Sequence, residues 1–394
     1  MRQRYPLHIV LFLLTVCTTM MAGAEMATGS YFAFLDFSEG WPQLIKGDLN
    51  WSFIWKGVPF SFAFLLFLSV HEFGHYFTSV YHKVRCSLPY YIPIFFPGMP
   101  NIGSFGAVIR IREMPSSRRK YFDIGVAGPL AGFVVAIGLL LYGFTHLPPV
   151  TETIMGIHPV YQSMFGGVPS EAEMAGASGV LRFGGSLLFE GFKWLFSGDP
   201  NMPPSFEMQH YPFLLVGFLT LFFTALNLLP IGQLDGGHVM YGLFGAKRAG
   251  IISRVAVFCL LWMGGLGMIS PGDFLAFGLP VPFWDHLFHA AILVLYIFLV
   301  YYVLGKLVNW TAVWKQGLAV FAVVSSQFLV SWMGEVVSPN VVWLLYSLLV
   351  VRMVGLDHPV AVDDRPLSTV QKVMGWAAVV IFVLCFSPQP IVLT

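Results

Sequence analysis

Val58-Pro-Phe-Ser-Phe-Ala-Phe-Leu-Leu-Phe-Leu-Ser-Val-His71-Glu72-Phe-Gly-His75-Tyr-Phe-Thr-Ser-Val80 runs apolar from Val58 to Val70 and then brings three ionisable side chains together. As a helix, a run of this length crosses the ~30 Å hydrocarbon core of a bilayer. Ionisable groups inside such a helix are expensive and call for a functional reason. His71 and His75 stand at i and i+4, so both imidazoles lie on one helix face and can meet a single metal ion. Glu72 sits between them, within reach of a water at that metal. Zinc would acidify the water, Glu72 would take its proton as the oxygen attacks a carbonyl, and the carboxylic acid could then protonate a leaving amine. The competing reading is a set of interfacial side chains at a helix end that bind no metal.

The rest of the chain agrees with a membrane setting. Of its 394 residues, 57% are hydrophobic and 10% charged, against about 25% charged in ordinary soluble domains. A net charge of +1 gives no case for a nucleic-acid partner. Cys17, Cys86, Cys259 and Cys385 are scattered and suggest neither a disulfide framework nor a CxxC zinc site. Apolar runs of spanning length fall near 7–24, 58–80, 122–144, 210–229, 251–270, 287–305, 316–335, 339–356 and 373–391. The fold class expected is therefore an all-α polytopic membrane protein with about eight or nine transmembrane helices. The first run, with a basic start and Ala22-Gly23-Ala24 behind it, also reads as a cleavable signal peptide.

Lys/Arg bias orients the spans. The connection 81–121 carries Lys83, Arg85, Arg110, Arg112, Arg118, Arg119 and Lys120 against Glu113 alone. The connection 145–209 carries Arg182 and Lys193 against Glu152, Glu171, Glu173, Glu190, Asp199 and Glu207. The first is assigned to the cytoplasmic side and the second to the opposite side, and Arg2 and Arg4 place the N-terminus inside. The aromatic-rich connection 24–57 is expected at the outer interface.

Two histidines leave a zinc site short of a third protein ligand. Asn227-Leu-Leu-Pro230-Ile-Gly-Gln-Leu-Asp235-Gly-Gly-His238 follows the fourth span, which the charge count returns to the side of His71 and His75. Pro230 should end that helix and leave Asp235 on irregular backbone, tolerated at membrane depth where it lines a polar cavity. Asp235 is thus the candidate third ligand; the alternative is a residue that merely caps the next helix.

HEFGH in one span and LDGG after an Asn-bearing helix together resemble the site-2 protease family of intramembrane zinc metalloproteases, over roughly residues 58–240. The GQLDGGH form looks like the branch found in archaea, bacteria and plastids. The resemblance implies one zinc per chain held by His71, His75 and Asp235, with Glu72 as catalytic base and Asn227 holding substrate or stabilising the oxyanion. It implies a zinc metalloendopeptidase of regulated intramembrane proteolysis, acting on membrane-spanning protein substrates in the lipid bilayer. His238, which stands where arginine is frequent, is expected beside the site rather than on the metal. Residues 88–113 look like the family's membrane-associated β element beside the active site. There Val108, Arg110 and Arg112 face one way and Ala107, Ile109 and Ile111 the other, and a free strand edge could pair with an extended substrate. A plain basic hairpin is the alternative. Gly128-Pro-Leu-Ala-Gly132 gives the third span a small-residue packing face.

These readings divide the chain into 1–57 (first span and outer loop), 58–250 (catalytic core) and 251–394 (C-terminal helices). The chain opens straight into a span, which favours a prokaryotic cell membrane with the active site towards the cytoplasm. His286 and His289 with Asp285 could hold a second metal or simply line an aromatic interface, whereas His82, Cys86 and His358 read as solvated loop residues. A membrane metal-binding or transport protein, or an inactive relative of the protease, is the alternative function.

Overall fold

The computed structural model describes residues 5–30, 35–36, 43–44, 51–97, 99, 101–175, 177, 179–269, 283–308, 310–334 and 340–393. Among the described residues the protein is helical, with small two-stranded sheets only. Among the described residues, five helices are long and apolar enough to cross a membrane: Tyr5–Thr28, Trp51–Tyr81, Arg118–Thr145, Leu287–Leu307 and Val313–Met333. Pro212–Leu228, Val341–Val354 and Thr369–Cys385 are shorter apolar helices. The run expected at 251–270 lies in Ala246–Gly264, a helix that also carries Lys247, Arg248 and Arg254. Residues 31–34, 37–42 and 45–50 of the aromatic connection 24–57, and the side chains of Asp285 and His286, lie outside the described residues.

The chain forms two compact units. The first comprises Met1–Ala177, Gly185–Leu228 and Ala361–Ser387. Its spine is the HEFGH helix α2 (Val58–Tyr81), packed against α3 (Arg118–Thr145) and, with it, α4 (Pro212–Leu228); α1 (Tyr5–Thr28) flanks α2. Phe60, Phe64 and Phe67 of α2, Phe122, Leu140 and Phe144 of α3 and Leu215 and Leu221 of α4 are fully buried, so this helix group has a dense aromatic and aliphatic core. Pro59 sits in the first turn of α2, where a missing N–H costs nothing. At its other end α2 closes in a Schellman motif: Val84 N–H donates to Ser79 O at 2.8 Å and Lys83 N–H to Val80 O at 3.0 Å. Lys83 occupies the left-handed position of that motif with φ 58°.

Between α2 and α3 lies an antiparallel hairpin of β1 (Tyr90–Pro93) and β2 (Ser104–Val108), in the register Tyr90↔Val108 and Tyr91↔Ala107. The expected strand through Arg112 is shorter than foreseen. Past Val108 the ladder breaks because Ser87 Oγ takes the Arg110 N–H (2.9 Å), and pairing resumes only as the Cys86↔Ile111 bridge. The alternation survives the break: Val108, Arg110 and Arg112 are exposed, Ala107 is buried and Ile109 and Ile111 are half-buried. α1 holds the hairpin through His8, whose Nδ1 donates to Pro89 O at 3.0 Å and whose ring lies on Tyr90.

The segment Ala361–Ser387 completes the first unit. Its helix α5 (Thr369–Cys385) starts with a capping box, Ser368 receiving the Gln371 N–H while the Gln371 side chain receives that of Ser368. Gln371 also donates to Asp123 of α3 at 2.8 Å. The second unit comprises Ser178–Gly184, Leu229–Val360 and Pro388–Thr394. Trp343 is fully buried there and donates its indole N–H to Pro388 O at 2.8 Å, beside a second bond from Asn340 at 2.7 Å.

Candidate metal centre

His71, Glu72 and His75 are 3%, 7% and 6% exposed, so all three ionisable groups are inside the protein. The face of α3 opposite them is made of small residues. A Cβ at Gly128 would run into the His75 ring, and one at Gly132 would stand 3.3 Å from His71 Nδ1. The Gly128-Pro-Leu-Ala-Gly132 sequence is therefore more than a generic packing stripe, because it makes the room in which both imidazoles lie.

His75 Nδ1 is 2.7 Å from the backbone carbonyl of Ile124. A carbonyl only accepts, so Nδ1 carries the hydrogen and Nε2 presents its lone pair. That lone pair faces His71 Nε2 at 3.1 Å. Asn227, in the last turn of α4, brings its amide Nδ2 to 3.3 Å from the same His71 Nε2. Two imidazole nitrogens converging at buried positions, one with its tautomer fixed by a backbone carbonyl, are the donor chemistry that suits a zinc ion. The residues present fit the metal.

The Glu72 carboxylate, from the same helix, is felt electrostatically at the hairpin. Burial pushes the Tyr91 phenol of β1 up, a 2.7 Å bond to Ser69 opposes this, and the Glu72 carboxylate adds to it. The hairpin is thus tied to α2 one turn before the ionisable cluster. The structure brings His71, Glu72, His75 and Asn227 together in the first unit.

Asp235 belongs to the second unit. α4 stops at Leu228, two residues before Pro230, as the residue restrictions around proline require. Asp235 is the first residue of α6 (Asp235–Phe244), and Leu234, with no side-chain capping bond, is the N-cap. Asp235 is accordingly not the N-cap residue. His238 lies one turn on and donates from Nδ1 to His358 Nε2 at 2.6 Å. His358 in turn donates from Nδ1 to Pro359 O at 2.7 Å and stacks on Tyr241. Burial holds His358 far below the usual imidazole range, at about 4, so it stays neutral at physiological pH. His358 is buried rather than a solvated loop residue, and its partner lies 120 positions away, out of reach of any local pattern. His82 is similarly engaged, at 2.9 Å from Asp123, and Cys86 is buried.

Residues 59–268 match Peptidase family M50. The chain is 28% identical over 271 residues to "Probable zinc metalloprotease EGY1, chloroplastic" of Oryza sativa subsp. japonica, which covers 67% of this chain and 42% of that protein. It is 27% identical over 271 residues to the protein of the same name from Arabidopsis thaliana, covering 67% of this chain and 44% of that one. Over 190 residues it is 30% identical to "Probable zinc metalloprotease EGY2, chloroplastic" of Oryza sativa subsp. indica, covering 48% and 30%. The chain spans less than half the length of these relatives. No solved structure matches it.

Proposed function

This chain belongs to peptidase family M50, the site-2 protease family, and from that premise we propose that it is a membrane-embedded zinc metalloendopeptidase. It cuts peptide bonds in or near transmembrane segments of membrane-spanning proteins, as a step of regulated intramembrane proteolysis. The observation that carries the reading is the His71–His75 pair, buried on one helix face with the His75 tautomer locked by Ile124 and Glu72 in the same turn.

One catalytic zinc per chain would be held by His71, His75 and, on the sequence argument, Asp235. The case for Asp235 is its place in the sequence, just beyond Asn227 and Pro230 on the strand of chain that the charge count returns to the face of His71. A zinc ion supplies Lewis acidity there, acidifying water and polarising the scissile carbonyl. Glu72 accepts the proton of the attacking water and hands it to the leaving amine, so one carboxyl serves as base and then as acid. The Asn227 amide donates a hydrogen bond to the carbonyl oxygen as negative charge grows on it. The catalytic core is read as residues 58–250, opening on the Lys/Arg-rich side, which the charge bias assigns to the cytoplasm.

A transmembrane substrate hides its peptide bonds in helix, so it must be unwound before cleavage. The outer edge of β2 offers a strand partner to the unwound segment. Val108 and Phe105 are exposed on that strand, at 51% and 69%.

The test compares wild type, Glu72→Gln and the double variant His71→Asn/His75→Asn, purified in detergent and given a panel of single-span substrates. Glu72→Gln is expected to hold as much zinc as wild type while cleavage drops roughly 100- to 10,000-fold; the double variant is expected to lose one equivalent of zinc and all cleavage. Wild-type cleavage by Glu72→Gln, or zinc content indifferent to both histidines, overturns the reading.

A further inference from the structure

A second set of metal-ligating atoms stands at the far end of the first unit, in the connection between α3 and α4. We propose that His158, Glu207 and His210 form a second, structural site for a zinc-type divalent cation, which pins this connection to the end of α1.

The three ligand atoms are grouped as a metal requires. His158 Nε2 lies 3.1 Å from His210 Nε2, and Glu207 Oε2 lies 3.6 Å from the first and 3.3 Å from the second. His210 Nδ1 is 2.7 Å from Met26 O, which makes Nδ1 the donor and leaves Nε2 with a lone pair turned to Glu207. Tyr161 donates to Glu207 Oε1 at 2.8 Å, fixing the carboxylate from behind. Glu207 is 2% exposed and, among the described residues, its Oε2 has no hydrogen-bond donor. A carboxylate oxygen and an imidazole lone pair thus face each other in a buried place, an arrangement that costs free energy unless a cation or a shared proton lies between them. Two imidazoles and one carboxylate, with His210 oriented by Met26 O and Glu207 by Tyr161 OH, make a donor set that suits zinc.

The surroundings say what such an ion would do. α1 ends with Gly29 in the left-handed region (φ +66°), and Ser30 N–H closes back on Glu25 O at 3.2 Å. A Cβ on Gly29 would stand 3.5 Å from His210 Cε1 and 3.6 Å from His158 Cε1, so the end of α1 lies directly on both rings. His210 caps a carbonyl of the last turn of α1, one of the acceptors a helix end leaves unpaired. An ion held by His158, from the start of the connection, and by Glu207 and His210, from its end, would close the loop between them and fasten it to α1. Loop closure of this kind stabilises by restricting the unfolded chain. Glu207-x-x-His210 is the one local signal, an i, i+3 carboxylate–imidazole pair; His158 is brought in only by the fold.

The site is tested on the full-length His71→Asn/His75→Asn variant, so that the result does not depend on the proposed catalytic centre. That variant is expected to keep one zinc per chain, and with cobalt in its place to show the visible absorption of a nitrogen/oxygen tetrahedral site. Adding Glu207→Gln or His158→Gln should remove both signals. His158 is half-buried, so its variant keeps the test decisive if Glu207→Gln fails to fold. Chelator should speed proteolytic nicking within 145–209 at least several-fold in the parent variant and leave the His158→Gln chain unchanged. A double variant that carries no metal, or a metal that survives both substitutions, overturns the proposal and leaves a proton-bridged cluster in its place.

Discussion

His75 and Ile124 are joined by a 2.7 Å bond from ring Nδ1 to backbone carbonyl, and this bond aims His75 Nε2 at His71. The acceptor is a main-chain atom of the neighbouring helix, so the orientation of the ring depends on how closely α2 and α3 approach. That approach is set by Gly128 and Gly132.

Gly128→Ala should therefore cost metal as well as stability. A methyl group at this position would collide with the His75 ring, and the helices cannot separate without stretching the bond to Ile124. Zinc at the His71 centre and substrate cleavage should both fall by at least ~10-fold, the scale of losing an orienting partner of a ligand. Gly138→Ala, on the same helix, meets nothing within 4 Å and should be neutral or stabilising by up to about 1 kcal/mol. Equal losses in both variants would show that helix backbone, not ring contact, is responsible.

Asn227→Ala is expected to separate binding from catalysis. Its amide lies 3.3 Å from His71 Nε2, beside the proposed metal ligands. Zinc content should hold within error while kcat falls roughly 100- to 1,000-fold, as for removal of an oxyanion donor. A rise in KM at unchanged kcat would assign Asn227 to substrate holding instead.

Substrates should respond to helix propensity near the scissile bond. Replacing two alanines there by glycine weakens the substrate helix by about 2 kcal/mol, which allows up to roughly 25-fold faster cleavage if unwinding limits the rate. Rates on matched di-alanine and di-glycine substrates decide this, and equal rates would put the slow step elsewhere.

Lys83 stands at φ 58° in the Schellman end of α2. Lys83→Gly should raise stability by about 0.5–1 kcal/mol by relieving the left-handed conformation of a residue with a Cβ. Thermal unfolding in detergent reads the effect, and a lower Tm would refute it. Lys83 is exposed, so no packing is lost.

Ser368 and Gln371 should behave as one unit. Each alanine variant is expected to cost about 1 kcal/mol from the capping box, with more for Gln371→Ala because its bond to Asp123 goes too. The double variant should cost less than the sum, since either change alone already opens the reciprocal cap. Additive losses would mean that the two bonds act separately.

The sequence by itself determined the membrane class and the protease family motif. Apolar runs of spanning length and an i, i+4 histidine pair are local features, because lipid imposes a length and a helix imposes a face. Proline ended the helix after Asn227 where its chemistry says it must, and the inward and outward alternation of residues 107–112 held through a broken ladder. What only the tertiary structure decided are contacts between groups far apart in the chain. The tautomer of His75, the His238–His358 pair and the His158–Glu207–His210 cluster each need partners that no local pattern names. A side chain's protonated form, and whether it can hold a metal, depends on which atoms the packing brings within ~3 Å of it, and that is a property of the folded helices rather than of any stretch of sequence.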